Sequence, residues 1–363
     1  MVEAQQSGLM SDTRKAAKRL AYQGSQMTRI AWYTGHYMAG RRKMGALTEP
    51  GAAPYADVSS ALDRKRLRDS YRALFEQDRR NIENGIYKMP RDLRRIPSLQ
   101  KALHTSKDYL RDAARVAQRK RDRQHSEVLT EKAREKFPRY FLQNFHFQSD
   151  GWLSHASAER YDMQVETLFT GAAAAMRRQA LLPIEAFLKA SARANAKFVD
   201  LACGNGGFLE EVAENWPGLT ATGVDLSPAY LSKARARLGR FPLVELKQAD
   251  AAKTGLPSQS VDVASCIFLF HELPPAVRKD VAREIFRILK PGGIFVLVDT
   301  LQYGDEAGLD ILLENFPRGF HEPYYDSFCR ADLASLFGDV GLKQCDETLA
   351  FLSKVSVFKK AGD

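Results

Sequence analysis

The stretch Val199-Asp-Leu-Ala-Cys-Gly-Asn-Gly-Gly-Phe208 constrains this chain more than any other. An apolar run over 197–201 enters a turn with three glycines, and a helix-forming segment, 208–215, follows at once. A strand handed over to a helix through glycines is the opening unit of an open α/β sheet, whose ligands bind beyond the carboxyl ends of the strands. Gly204 and Gly206 lack a Cβ, so backbone there can press against a ligand. A dinucleotide fingerprint would need its third glycine where Leu209 stands, and the Gly-Lys-Ser/Thr of a phosphate loop is absent. Asp200, just before the turn, would repel phosphate and attract a cationic amino group. Asp225 closes the next strand-like run, 19 residues past Gly206, where an acid accepts hydrogen bonds from both hydroxyls of a ribose. These residues suit a ligand with a ribose, an amino-acid tail and no phosphate.

Beyond residue 196 short apolar runs alternate with amphipathic segments. Strands are expected over 197–201, 220–226, 244–247, 261–268 and 294–299, with helices over 208–215, 227–238 and 277–289. Lys290-Pro-Gly-Gly293 reads as a turn, and 341–358 as two strands with no helix between them. The fold class is therefore α/β: a doubly wound, mainly parallel sheet covered on both faces, with an antiparallel hairpin at one edge.

The motif Asp200-Leu-Ala202-Cys-Gly204-Asn-Gly206 resembles the first motif of the class I S-adenosylmethionine-dependent methyltransferases, acid-x-Gly-x-Gly-x-Gly, with Ala202 in place of the first glycine. The resemblance runs over 197–360, a little under half of the chain, and includes Ser260-Val-Asp262-Val-Ala-Ser-Cys-Ile-Phe268 and Arg287-Ile-Leu-Lys-Pro-Gly-Gly-Ile-Phe295. It implies a seven-stranded sheet, S-adenosylmethionine as cofactor, and a small-molecule methyl acceptor. By the same resemblance, Asp200, Ala202, Cys203, Gly204 and Gly206 would hold the methionine part. Asp225 and Leu226 would hold the ribose and flank the adenine, Asp250 and Ala251 would meet the adenine edge, and Phe268 would also contact the cofactor. Tyr161, in Ala158-Glu-Arg-Tyr-Asp162, is similar to the Tyr-Asp on the lid helix of related enzymes and is expected at the acceptor.

The first part of the chain has another texture. Residues 1–150 carry 31 Lys and Arg against 17 Asp and Glu, while 151–363 carry 23 against 27. The reading is a basic, mostly helical extension over 1–136, a helical lid or linker over 137–195 dense in aromatics, and the cofactor domain over 196–363. Helices are expected from Ser59 or Ser60 as N-cap, over 106–136, over 156–168, and over 172–188, broken or bent near Pro183. The connector is Ser191-Ala-Arg-Ala-Asn195. In the segment 27–43, Met27, Ile30, Ala31, Tyr37 and Met38 can share a helix face ahead of Arg41-Arg-Lys43, which fits packing on a neighbouring domain or contact with an anionic membrane surface. No run is long and apolar enough to span a bilayer, and the N-terminus lacks a secretory pattern. Four cysteines far apart suggest neither zinc nor disulfides, so no metal is expected and a reducing cytoplasm is the default compartment.

A methyl sulfonium is already activated, so an enzyme gains chiefly by aligning the partners and excluding water, and a base matters only for a poorly nucleophilic acceptor. His271, in Phe268-Leu-Phe-His-Glu-Leu-Pro-Pro275, is the candidate for that base, with Glu272 orienting it or favouring the next helix. The aromatic stretch 316–328 reads as a loop that brings His321, Tyr324 and Tyr325 over an apolar acceptor. The leading function is methyl transfer to a small apolar or aromatic acceptor such as a quinone-like ring, a phenol or a lipid. The alternatives are RNA methylation using the basic extension, and a silent cofactor-binding scaffold. Nucleic acid is disfavoured, since the stretch after the fourth strand lacks Asn/Asp-Pro-Pro-Tyr/Phe.

Overall fold

The structure is a computed structural model that describes residues 2–45, 62–94, 98–122, 124–191 and 195–362. Ser59, Ser60 and the connector residues 192–194 lie outside them. The helix expected there opens instead at α2 (Arg64–Glu83), where the Asp63 carboxylate accepts from the Arg66 N–H as N-cap.

The strands are β1 (Lys197–Leu201), β2 (Thr220–Asp225), β3 (Val244–Gln248), β4 (Val261–Ile267), β5 (Leu289–Thr300), β6 (Leu342–Ala350) and β7 (Ser353–Lys360). They form one sheet in the order β3-β2-β1-β4-β5-β7-β6. The first five pair in parallel, and β7 is antiparallel to both β5 and β6. The order reverses between β1 and β4, so a crevice opens at their carboxyl ends. The apolar runs explain the burial: β4 has only its last residue partly exposed, as a strand covered on both faces must. Lys290–Gly293 is not a free turn. Pairing passes from Val261–Leu289 to Val263–Ile294 across an irregularity, so these residues form a bulge inside β5.

Helices precede and cover the sheet: α1 (Val2–Gly45), α2, α3 (Leu99–Asp122), α4 (His155–Leu168), α5 (Ala173–Arg178), α6 (Leu181–Ser191), α7 (Gly207–Asn215), α8 (Pro228–Leu238), α9 (Pro275–Ile288), α10 (Asp310–Gly319), α11 (Tyr325–Cys329) and α12 (Leu333–Gly338). The expected 106–136 helix stops at Asp122. There the chain reverses around Glu127, whose carboxylate accepts from Arg119, the Asn144 side chain and the Asp150 N–H at 2.9–3.0 Å. The break expected at Pro183 falls earlier, between α5 and α6, and Pro183 sits in the first turn of α6, where it has no intrahelical N–H to lose.

The N-terminal helices share a core with the sheet: Tyr22, Ile82 and Tyr87 belong to the same buried cluster as Phe198, Val263 and Val296. The link is ionic as well as apolar. Arg178 of α5 is fully buried, donates to both oxygens of Asp78 on α2 at 2.7 and 2.9 Å, and reaches Glu211 on α7. Met27, Ala31 and Met38 do not supply the packing face of α1. Its inward face carries Tyr22, Gln26 and Gly40 instead.

Candidate active site

A cavity lies over the carboxyl ends of β1, β2 and β4. Its floor is Ala202, Gly204, Asp225, Leu226, Ala249, Ala251, Ile267 and Phe268, and its roof is Tyr140, Phe141, Phe145, Trp152 and Tyr161. The roof thus comes from the aromatic segment before α4 and from α4 itself. The volume, about 100 Å³, is small beside the roughly 300–1,000 Å³ common for ligand sites, so the roof must yield to admit a nucleoside.

On the floor, the glycine turn works through its backbone. Gly204 has φ +54°, and a Cβ there would come no closer than 3.9 Å to other atoms, so bare backbone faces open space. Gly206, with φ +78°, serves packing: a Cβ would stand 2.8 Å from Leu238 and 3.2 Å from Ala234 of α8. Ala202 and Phe268 leave β1 and β4 with φ +56°, a left-handed conformation that costs a non-glycine residue about 1–3 kcal/mol and often marks a functional site. Asp225 accepts from the Gly204 N–H and the Ser227 N–H, each at 2.8 Å. Burial raises its pKa, and these backbone N–H groups hold the rise to about 6, so it is charged at neutral pH.

The roof is tied down by polar contacts. Tyr140 donates to Asp250 at 2.8 Å, Ser227 donates to the Trp152 carbonyl, and Ser157 meets the Tyr230 hydroxyl at 3.0 Å. Trp152, Tyr161 and Tyr230 pack edge to face, with centroids 5.5–5.8 Å apart. Asp162 clamps α4 to the glycine turn, accepting from Asn205 at 2.9 Å and from Arg237 of α8. Burial opposes its charge, but Arg237 and Asn205 bring its pKa down to about 2.

On the far wall stands Glu272, whose carboxyl is pushed upward by burial and held back by neighbouring His271. His271 lies behind that wall and does not line the cavity. Its Nδ1 meets the buried Asp299 carboxylate at 2.6 Å, and Asp299 also accepts from the Phe270 and Thr300 N–H groups. Burial works against the imidazolium, yet Asp299 outweighs it and lifts His271 to about 9.

The expected residues divide accordingly. Ala202, Gly204, Asp225, Leu226, Ala251, Phe268 and Tyr161 come together around the cavity. Asp200 is sealed beneath the turn, where Ser265 donates to it at 2.7 Å and burial raises it to about 7. Cys203 is buried against Gly223, and Asp250 is engaged by Tyr140 at the edge. The 316–328 stretch is not a loop over the cavity, because α10 and α11 occupy most of it. His321 bonds Gln143 and stacks near His125, and the Tyr324 carbonyl holds Arg278. Tyr325 is buried, hydroxyl on Thr300 and ring 6.0 Å from His271. None of the three reaches the cavity wall. The roof aromatics Tyr140, Phe141, Phe145 and Trp152 were visible only as an aromatic-rich run. Glu272 was visible only as a neighbour of His271.

Residues 198–293 match the family model of a methyltransferase domain. Over 143 residues the chain is 30% identical to the demethylmenaquinone methyltransferase of Deinococcus radiodurans, covering 39% of this chain and 56% of that protein. It is 31% identical over 160 residues to a ubiquinone biosynthesis O-methyltransferase of Thiobacillus denitrificans, covering 41% and 66%. The carboxy-S-adenosyl-L-methionine synthase of Aeromonas salmonicida is 31% identical over 128 residues, 34% of this chain and 51% of that protein. The chain spans about half the length of the first of these curated relatives it matches.

The residues present fit S-adenosylmethionine, the cofactor of methyltransferases similar to residues 198–293. Each Asp225 oxygen accepts one backbone N–H and keeps a lone pair for a ribose hydroxyl, Gly204 offers bare backbone, and Leu226 and Ala251 line the cavity with apolar surface. Residues 198–293 are thus similar to a methyltransferase domain, and the cavity over the strand ends of that segment has residues suited to S-adenosylmethionine.

Proposed function

We propose that this chain transfers a methyl group from S-adenosylmethionine to a proton-bearing group, a hydroxyl above all, of a small apolar or aromatic acceptor of the quinol, phenol or lipid type. One observation carries this reading: Asp225 and Glu272 border the same cavity, and its roof is aromatic. Two of the relatives are named for quinone methylation, and that chemistry points the same way.

The cofactor, when bound, supplies a methyl group on an already activated sulfur. What the chain contributes is position, dryness and a proton acceptor. The aromatic roof excludes water and offers flat apolar surface to a ring. Glu272, facing the cavity, accepts the hydrogen bond of the acceptor hydroxyl and takes its proton as the new bond to oxygen forms. His271 acts through Glu272. Held as an imidazolium by Asp299, it opposes the burial that lifts Glu272 to about 8, so Glu272 serves as base from about that pH upward. In this reading the catalytic residue is Glu272, and His271 is a positioning residue.

The test is a methyl-transfer assay with labelled cofactor and a panel of hydroxylated quinols, phenols and fatty acids. Glu272→Gln should cut transfer to the productive acceptor by about 10²–10⁴ while cofactor affinity stays unchanged. Full turnover by that variant would remove Glu272 from the mechanism.

A further inference from the structure

Helix α1 is turned inside out. At 100° per residue, Leu20, Met27, Ala31 and Met38 fall within about 40° of one line running some 27 Å along the helix. All four point to solvent, with Leu20 71%, Met27 70% and Met38 57% exposed. The opposite face, which packs on the rest of the protein, is polar. Tyr22 donates to Asp78 at 2.7 Å, Gln26 donates to the Gly171 carbonyl, Arg29 pairs with Asp92 and Glu166, and His36 meets Ser106 at 2.9 Å. A surface helix normally shows the reverse arrangement.

The charge around this stripe has one sign. Residues 13–45 include eight Lys and Arg and no Asp or Glu. Arg41 and Arg42 lie within about 60° of the apolar line, and Arg42 and Lys43 have no ion pair among the described residues. Helix α3 packs on the inward side of α1, through His36–Ser106 and through Gly40 against Tyr109, and leaves the stripe uncovered.

From this stripe and the cations around it we infer that the outward face of α1 docks on an anionic lipid surface. The apolar stripe enters the interface, and the cations at its rim meet lipid phosphates. A second copy of this chain fits less well. Lys15, Lys18 and Arg19 lie at one end of the stripe and Arg41, Arg42 and Lys43 at the other, so either sense of pairing sets cation against cation. The inference rests on α1 alone and stands whatever the acceptor.

The experiment is co-sedimentation of the full chain with vesicles of phosphatidylcholine, with and without about one-third phosphatidylglycerol. Binding to the anionic vesicles should be about tenfold stronger or more, and should weaken as salt is added. Combined Leu20→Gln, Met27→Gln and Met38→Gln should lower it about tenfold with an unchanged melting temperature, since these side chains touch little else. Arg42→Glu with Lys43→Glu should lower it by a similar factor. Equal binding to both vesicles, or full binding by the glutamine variant, would overturn the inference. So would self-association in the absence of vesicles that the glutamine variant abolishes.

Discussion

Removing the Asp225 carboxylate should separate cofactor affinity from folding. Its two oxygens hold the Gly204 and Ser227 N–H groups at 2.8 Å and border the cavity, so they can also accept from a ribose diol. Asp225→Ala deletes two charge-assisted hydrogen bonds to the cofactor, a loss of about 2–3 kcal/mol once exchange with water is allowed for. That corresponds to roughly 30- to 150-fold weaker binding. The two backbone N–H groups lose their acceptor as well, at about 1 kcal/mol each where water from the cavity replaces it, so the melting temperature should fall by a few degrees. Asp225→Asn keeps the shape and one acceptor oxygen, and should be intermediate. Calorimetric titration with S-adenosylhomocysteine measures the affinity, and a thermal melt measures the fold. Wild-type binding should itself weaken as pH falls through about 6, because the protonated carboxyl no longer accepts at both oxygens. Affinity within about threefold of wild type, with a lowered melting temperature, would show that this carboxylate is only structural.

Glu272→Gln should cut methyl transfer by about 10²–10⁴ with cofactor affinity intact, as read from turnover beside calorimetry. His271→Gln removes the cation beside Glu272, so the pH–rate profile should shift to higher pH; an unmoved profile would detach His271 from the reaction. Asp162→Asn should loosen the roof and make 137–170 more sensitive to limited proteolysis, with the cofactor product restoring protection. Because Asp162 is held at about 2 against an ordinary 3.8, its stabilising effect is present above about pH 4 and is lost as pH falls through 2. Arg178→Ala leaves Asp78 buried without its partner and should destabilise by about 3–5 kcal/mol in a denaturant melt.

The sheet and the cofactor floor were legible because their causes are local. Continuous apolar runs can only be covered strands, and a glycine turn between strand and helix places Gly204 and Asp225 at the crevice wherever the rest of the chain goes. The acceptor side was read less well, because long-range packing decides it. Tyr324 and Tyr325 look like a recognition loop in sequence, yet Arg278 and Thr300 draw them into the body under α10 and α11. Glu272 became distinctive only once Asp299, 27 residues on, was seen to hold its neighbour His271. The exposed stripe of α1 was legible as a shared face, but its direction was not. Only the polar partners Asp78, Asp92 and Ser106 on other helices show which side of α1 turns inward.

The central claim is that this cavity methylates a proton-bearing apolar acceptor with Glu272 as base. The most direct measurement gives the full chain methyl-labelled S-adenosylmethionine together with an apolar cell extract, bulk RNA and total protein, and follows where the label goes. The account predicts label in an organic-extractable small molecule, absent with Asp225→Ala and with Glu272→Gln. Label in RNA or protein would contradict it, as would tight binding of S-adenosylhomocysteine with no transfer to any fraction.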